Sequence, residues 1–226
     1  MKVEIVIPTY KRRDKLIRLL NSIERDVDIV TFVYFDNNDT TWVEIAEMFP
    51  WVVCLPMRKK YQAFGIWNHH LMYWSTLDIM VYLCDDTELY PDTIQNAIKH
   101  FEEKFPDTDG VVTFKQENIN GSDSAMGCIG RTFSKRYPNR QCFCPNYVSF
   151  YADTEIGDYA KKLGKFHYGE DCLINHYHPV GGTKPDDTHW IIRGKDKNID
   201  IRVNAQRKQQ NLLWGESDTI LDRENI

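Results

Sequence analysis

The first half of the chain alternates short apolar runs with amphipathic segments, and this alternation constrains the fold more than any other feature. Residues 3–8 form a near-continuous apolar, β-branched run, which is typical of a strand buried on both faces. Leu16, Ile17, Leu20 and Ile23 then recur at helical spacing. Strands that alternate with helices across short connections predict an α/β fold, with a mostly parallel, Rossmann-like sheet flanked by helices.

The same patterns predict the other elements of this half. Strands are expected at residues 30–35, 51–55, 77–84 and 111–114, and helices at about 41–48, at 63–74 and from Pro91 to Phe101. Beyond residue 115 the periodicity weakens, and only residues 153–163 and a segment from Gly169 to Tyr177 look helical. We therefore expect one domain over residues 1–226, with a regular part at 1–115 and an irregular part and C-terminal tail at 116–226.

Length and charge narrow the class of protein. A chain of 226 residues has material for one core, and its net charge of −5 lacks the basic excess of a nucleic-acid-binding domain. The longest apolar run, residues 79–84, is far shorter than the roughly 18 residues that span a bilayer. The N-terminus shows no signal-peptide pattern, so we expect a cytoplasmic protein.

Six cysteines allow more than one interpretation. Cys54 and Cys84 lie in apolar, strand-like segments, where a reduced thiol packs as a small hydrophobic group. The other four cysteines are an alternative structural zinc site, although C-x-C without a C-x2-C pair is a weak zinc pattern. Those four are Cys128, Cys142, Cys144 and Cys172.

Three predicted strands end in polar residues. In an open parallel sheet, ligands bind beyond the carboxyl ends of the strands, so these residues are expected to face one crevice. The three strand ends are residues 9–13 (TYKRR), 36–39 (DNND) and 85–88 (DDTE).

These residue types suggest a metal-bound diphosphate. Adjacent carboxylates at 85 and 86 suit Mg²⁺ or Mn²⁺, although a solvated turn has the same composition. Basic residues at 12–13 and 58–60 are suited to offset phosphate charge, and Asp36 to accept a hydrogen bond from a nucleobase that stacks on Tyr10. Glu170 and Asp171 either interact with a helix dipole or supply a base for an attacking hydroxyl.

Four motifs in order resemble the GT-A fold glycosyltransferases, most closely those of family 2. They are V-x-I-V-I-P-T-Y-x-R at residues 3–12, F-D-N-N at 35–38, Y-L-C-D-D-T at 82–87 and G-E-D at 169–171. The resemblance implies a nucleotide-sugar-binding half at 1–115 and an acceptor-binding half at 116–226. Family 2 members use a variable Asp-x-Asp motif, and here Cys84 stands where the first aspartate is common.

The resemblance also implies roles for individual residues. It makes Asp36 the acid that reads the base, usually uracil, and Asp86, next to Asp85, the ligand of Mn²⁺ or Mg²⁺. It makes Asp171 the catalytic base of an inverting enzyme, with Glu170 positioning the acceptor. His189, or else His178, is the expected histidine ligand of the metal. Pro8, Thr9, Tyr10 and Arg13 correspond to the first nucleotide-binding loop. Independently of the resemblance, Arg58 of the basic cluster at 58–60 is expected to face the phosphates.

The predicted function is metal-dependent transfer of a sugar from a UDP-sugar, with inversion, to the hydroxyl of a glycan. A hydroxylated nucleic acid is an alternative acceptor, suggested by basic residues at 131, 135, 136 and 140. From a different class, a nucleotidyltransferase or a nucleotide-binding module remains an alternative. A nucleotidyltransferase usually has a glycine-rich loop after the first strand, and residues 8–11 (PTYK) contain no glycine.

Overall fold

Eight strands form one sheet in the part of the chain that the computed structural model describes, residues 1–117, 124–177 and 189–222. Helices pack on both faces of this sheet. In chain order the elements are β1 (Val3–Thr9), α1 (Arg13–Ser22), β2 (Ile29–Phe35), α2 (Trp42–Met48), β3 (Val52–Pro56), α3 (Ala63–Tyr73), β4 (Ile79–Tyr82), β5 (Thr87–Leu89), α4 (Thr93–Lys104), β6 (Val111–Gln116), β7 (Gly127–Gly130), α5 (Arg131–Ser134), a 3-10 turn (Pro138–Arg140), α6 (Ala152–Lys162), β8 (Phe166–His176) and α7 (His189–Gln209).

The sheet order is β3-β2-β1-β4-β7-β6-β8-β5. The first four strands in this order are parallel, and β7 then runs antiparallel to both β4 and β6. Strand β8 is parallel to β6, and β5 is antiparallel to β8. Because β1, β2 and β4 point the same way, their carboxyl ends meet at one edge of the sheet.

Two apolar clusters, one on each face, hold the helices to the sheet. Strand β1 shows the alternation: Ile5 and Ile7 pack in one cluster with α1 and α4, while Val6 packs in the other with α3 and α6. All three side chains are fully buried. Burial of an aliphatic side chain of this size contributes roughly 1.5–3 kcal/mol, so β1 is a main source of stability.

One predicted helix is wrong. The segment from Gly169 to Tyr177 belongs to strand β8, which pairs with β5 and β6. Its side chains alternate, with Cys172, Ile174 and His176 buried. Period-two burial is the mark of a strand, and pairing on both sides stabilises it more than the short helical pattern could. The other predicted elements agree with the structure to within a few residues.

The four cysteines of the alternative zinc site do not come together. Cys128 and Cys172 pack in the cluster with α1 and α4, whereas Cys142 and Cys144 pack in the cluster with α3 and α6. All four are buried free thiols.

Within the described ranges, we find no helix that combines the length and the apolar character needed to cross a lipid bilayer.

Candidate active site

A cavity of about 370 Å³ opens at the carboxyl ends of β1, β2 and β4. All three polar strand ends contribute to it, as the sequence predicts. The second half of the chain supplies the remaining wall, from the loop before α6, the first turn of α6, the end of β8 and α7. The site residues that line it include Pro8, Thr9, Tyr10, Arg12, Asp36, Lys60, Tyr61, Asp85, Asp86, Ser149, Phe150, Tyr151, Asp153, His176 and Asp196.

A buried cluster of charges surrounds the two adjacent aspartates. Arg12 Nη1 donates to Asp85 Oδ1 over 2.9 Å and to Asp86 Oδ2 over 3.3 Å. Thr9 Oγ1 donates to the other oxygen of Asp85 over 2.8 Å. Burial raises the pKa of Asp85, and the neighbouring Arg12 opposes that rise. Arg12 therefore acts as the counter-ion of an acidic pair that is otherwise costly to bury.

His176 faces the opposite side of Asp86. Its Nε2 lies 3.4 Å from Asp86 Oδ1, and its Nδ1 lies 2.7 Å from Gln116 Oε1. An amide oxygen only accepts, so this contact assigns a ring proton to Nδ1 and turns Nε2 toward Asp86. Tyr177 N also donates to the backbone oxygen of Asp86 over 2.8 Å, which fixes the end of β8 beside the aspartate.

Two further aspartates order the loops after β1 and β2. Asp39 accepts from Lys11 N over 2.6 Å and from Thr41 N over 3.0 Å, which ties the two loops together. Lys11 has a positive φ of 54°, a backbone conformation that needs such support in a residue other than glycine. Asp36 accepts from Tyr61 N over 3.2 Å, so the segment before α3 is fixed as well.

The loop before α6 is anchored by a carboxylate from α7. The fully buried Asp200 accepts backbone N–H bonds from Val148, Ser149 and Phe150 over 2.9, 2.8 and 2.8 Å. Ser149 and Phe150 line the cavity. The cavity wall formed by the second half of the chain therefore depends on a residue outside the cavity lining.

A second buried contact holds α6 itself. Arg207 of α7 makes a bidentate pair with Glu155, at 2.7 and 3.1 Å, and Tyr147 OH donates to the same carboxylate over 2.9 Å. Paired hydrogen bonds of this kind fix orientation as well as distance. Because Glu155 lies two residues after Asp153, this contact sets the position of the first turn of α6 at the cavity wall.

The predicted donor-site residues divide into two groups. Pro8, Thr9, Tyr10, Asp36, Asp85 and Asp86 all line the cavity. Arg13 does not, because its guanidinium is paired with Glu44 on α2 and with Asp14. Arg58 is exposed and also lies outside the lining, and the neighbouring Lys60 reaches the cavity in its place.

Glu170 and Asp171 do not reach the cavity either. They lie on β8, where Glu170 pairs with Lys115 at 3.1 Å and Asp171 pairs with His100 of α4 at 2.6 Å. Both carboxylates are more than half exposed. The predicted helix over residues 169–177 is instead strand β8. On a strand beside α4, these side chains are directed away from the carboxyl edge of the sheet.

The two histidines predicted as metal ligands have side chains outside the described part of the chain. His189 begins α7, but its side chain lies outside the described residues, as does all of His178. Sequence reasoning missed His176 and Asp153. Every second residue from 172 to 176 is buried, and this alternation was a signal for His176. The position of Asp153 at the start of the amphipathic α6 was a signal for that residue.

A mixed α/β sheet, with a cavity and paired acids at the carboxyl ends of its parallel strands, is the architecture expected from the resemblance to GT-A glycosyltransferases. Residues 4–154 match the family model "Glycosyl transferase family 2". The match covers more than half of the sequence, and the chain belongs to this family of transferase enzymes.

Solved structures share the fold at low sequence identity. The mannosyltransferase PcManGT from Pyrobaculum calidifontis, in complex with GDP-Man and Mn²⁺, superposes with a TM-score of 0.65 at 16% identity, covering 91% of this chain and 64% of its own. Residues 1–349 of TarS from S. aureus give a TM-score of 0.63 at 14% identity, covering 78% of this chain and 60% of that one. The same TarS fragment in complex with UDP-GlcNAc gives 0.60 at 14% identity, covering 84% and 60%.

This chain thus spans about three fifths of the length of those solved chains. A search of curated proteins gave no match.

Proposed function

We propose that this enzyme transfers a sugar, with inversion, from a UDP-sugar to the hydroxyl of a glycan, with a divalent cation at Asp86. One observation carries the proposal: a single cavity is lined by the Asp86–His176 pair and, on the wall formed by the second half, by Asp153. A leaving diphosphate and an attacking hydroxyl need these two kinds of group in one site.

The part of the cavity wall formed by the first half of the chain suits the donor nucleotide. Asp36 is buried beside Tyr10 and Tyr61, so a base that stacks on a tyrosine ring can donate an N–H to its carboxylate. Lys60 supplies positive charge for the phosphates on the same wall. The carbonyl and N–H pattern of uracil suits a single acidic partner, which favours UDP.

The residues at Asp86 fit a divalent cation. Asp86 Oδ1 and His176 Nε2 are both atoms of the kind that bind metal ions, and they face each other across 3.4 Å. Two such donors repel unless a cation or a proton lies between them, and oxygen and imidazole ligands suit Mn²⁺. When bound, the cation supplies Lewis-acid neutralisation of the leaving diphosphate. Mg²⁺ is the alternative, since it accepts carboxylate and phosphate oxygens.

The acceptor is activated from the other wall. We assign the base to Asp153 rather than to Asp171, because Asp153 lines the cavity and Asp171 does not. The acceptor hydroxyl gives its proton to the Asp153 carboxylate while its oxygen forms a bond to the anomeric carbon. The bond from that carbon to the phosphate oxygen breaks, and UDP leaves with the bonding electrons. One displacement of this kind inverts the configuration.

Aromatic residues favour a sugar as the acceptor. Phe150 and Tyr151 line the same wall as Asp153, and such rings offer apolar faces to the C–H faces of a pyranose. Three of the four basic residues that suggested nucleic acid are engaged in the protein: Arg136 pairs with Asp109, Arg140 donates to Ser75 and Arg131 donates to the backbone oxygen of Thr76. A glycan is therefore the better supported acceptor.

A donor hydrolysis screen tests the proposal without knowledge of the acceptor. Purified enzyme is incubated with Mn²⁺ and each of a panel of UDP- and GDP-sugars, and release of the nucleoside diphosphate is measured. We expect slow hydrolysis of one UDP-sugar, and none with Asp86→Asn, while the exposed Asp158→Asn matches the wild type. No release from any donor, or equal release by Asp86→Asn, contradicts the proposal.

A further inference from the structure

Four side chains with metal-binding groups meet between α4 and β8, outside the cavity. They are His100 on α4, and His167, Asp171 and Cys172 on β8. Ligand atoms of His100, Asp171 and Cys172 all lie within 4.8 Å of one another. The ring of His167 lies against that of His100, with 4.4 Å between the ring centroids.

An irregularity in β8 creates this cluster. Pairing with β6 jumps from Phe114–Gly169 to Lys115–Leu173, so residues 170–172 bulge out of the ladder. Consecutive strand residues normally point to opposite faces, and a bulge changes that direction. Here the bulge lets both Asp171 and Cys172 approach His100, with Asp171 Oδ1 at 2.6 Å from His100 Nε2 and 3.9 Å from Cys172 Sγ.

Two buried nitrogens of the cluster lack hydrogen-bond partners within the described ranges. They are Nδ1 of His100 and Nε2 of His167. A buried polar atom without a partner is costly, and a bound ion is one of the few things that account for it.

We propose that His100, His167, Asp171 and Cys172 form a second metal site, separate from Asp86 and suited to Zn²⁺. Imidazole and thiolate ligands select Zn²⁺, whereas the oxygen-rich site at Asp86 suits Mg²⁺ or Mn²⁺. On binding, the thiol of Cys172 loses its proton to solvent and its sulfur bonds to the ion. Because His100 lies on α4 and the other three on β8, the ion links a helix to the sheet.

Cobalt(II) tests this site directly, because a thiolate bound to Co²⁺ gives a charge-transfer absorption that oxygen and nitrogen ligands do not. We expect one equivalent of Co²⁺ to produce this band in the wild type, and Zn²⁺ to abolish it by displacement. Asp86→Asn retains the band and Cys172→Ser loses it. Cys54→Ser, a half-buried cysteine outside the cluster, is the matched control and retains it.

Absence of the band in the wild type, or its persistence in Cys172→Ser, overturns the proposal. A second measurement covers the case in which Cys172→Ser fails to fold. His167→Gln is expected to weaken Zn²⁺ binding at least about tenfold in a competition titration with a chromogenic chelator. Unchanged Zn²⁺ affinity in a folded His167→Gln protein equally overturns the site.

Discussion

Arg12 donates to Asp85 over 2.9 Å at the bottom of the cavity, and both side chains are almost completely buried. The same nitrogen is 3.3 Å from Asp86. One guanidinium therefore neutralises two adjacent carboxylates at the proposed cation site. The stability of the protein therefore depends on a positive charge close to these two carboxylates.

Removal of Arg12 is expected to be strongly destabilising. Arg12→Ala leaves two buried carboxylates without their counter-ion, and breaking a buried pair costs about 3–5 kcal/mol. Urea unfolding followed by fluorescence measures the change. Mn²⁺ is expected to restore part of the loss in Arg12→Ala, because it supplies the missing charge.

Arg13→Ala is the matched control, since Arg13 is half exposed and outside the cavity, and its unfolding midpoint should stay close to that of the wild type. Equal effects of the two substitutions would show that burial of the pair is not the cause.

Gln116 is expected to control metal affinity through His176. Its side-chain oxygen holds His176 Nδ1 at 2.7 Å, which keeps Nε2 directed at Asp86. Loss of a partner of this kind typically lowers metal affinity 10–100-fold, and we expect that range for Gln116→Ala. Mn²⁺ titration by calorimetry measures it, with the exposed Gln210→Ala as control. An unchanged Mn²⁺ affinity would exclude His176 as a ligand.

Asp200→Asn is expected to impair transfer while leaving the donor site intact. The carboxylate accepts three backbone N–H bonds at the loop before α6, and an amide would place its NH₂ against at least one of these donors. We expect about a tenfold fall in kcat with little change in the KM for the donor. Lys197 is exposed on the same helix and lies outside the cavity lining, so Lys197→Gln shows whether any change on α7 has this effect. Wild-type kcat in Asp200→Asn would contradict the anchoring role.

Asp109 is expected to contribute to acid sensitivity. Hydrogen bonds from Arg136, and then from Lys165, lower the pKa of Asp109 in the folded protein. A lowered folded-state pKa gives stability that is present above the unfolded value of about 3.9 and is lost as the pH falls through the folded value. The unfolding free energy of Asp109→Asn should therefore lie below that of the wild type at pH 7, and the difference should shrink as the pH falls below about 3.9. A difference that stays constant as the pH is lowered would contradict this.

Much of the fold follows from local patterns, whereas the second half does not. Strand β1 is apolar on both faces, and Leu16 and Leu20 recur at helical spacing, so period alone identifies β1 and α1. Segment 169–177 has a short apolar run that suits either state, and pairing with β5 and β6 decides it. Such pairing is non-local and leaves a weak trace in a single sequence.

The same distinction holds for the site. Thr9, Asp36 and Asp86 lie at the ends of parallel strands. The sheet topology brings these positions together independently of their side-chain contacts. His176 reaches the cavity through β8, whose position depends on pairing with β5 and β6. Asp153 reaches it through α6, which is held by the contacts of Asp200 and Arg207 with distant segments. Arg12 and Arg13 are alike in the sequence. The ion pair of Arg13 with Glu44 on α2 keeps Arg13 out of the cavity that Arg12 lines.

The choice of base is open to a direct comparison. Asp153→Asn should reduce transfer by at least about a hundredfold, because a general base typically contributes 10²–10⁴-fold, while UDP binding is retained. The exposed Asp158→Asn on the same helix should remain active. A loss of transfer in Asp171→Asn, with normal activity in Asp153→Asn, would return the role to Asp171.

The cavity at Asp86 is expected to bind a nucleoside diphosphate together with a divalent cation. Calorimetric titration of UDP into the enzyme, with Mn²⁺ and again with EDTA, measures this binding. We expect UDP binding that requires Mn²⁺, that is lost in Asp86→Asn and that is retained in the exposed control Asp14→Asn. UDP binding of equal strength in EDTA, or in Asp86→Asn, would exclude a cation-dependent nucleotide site at Asp86.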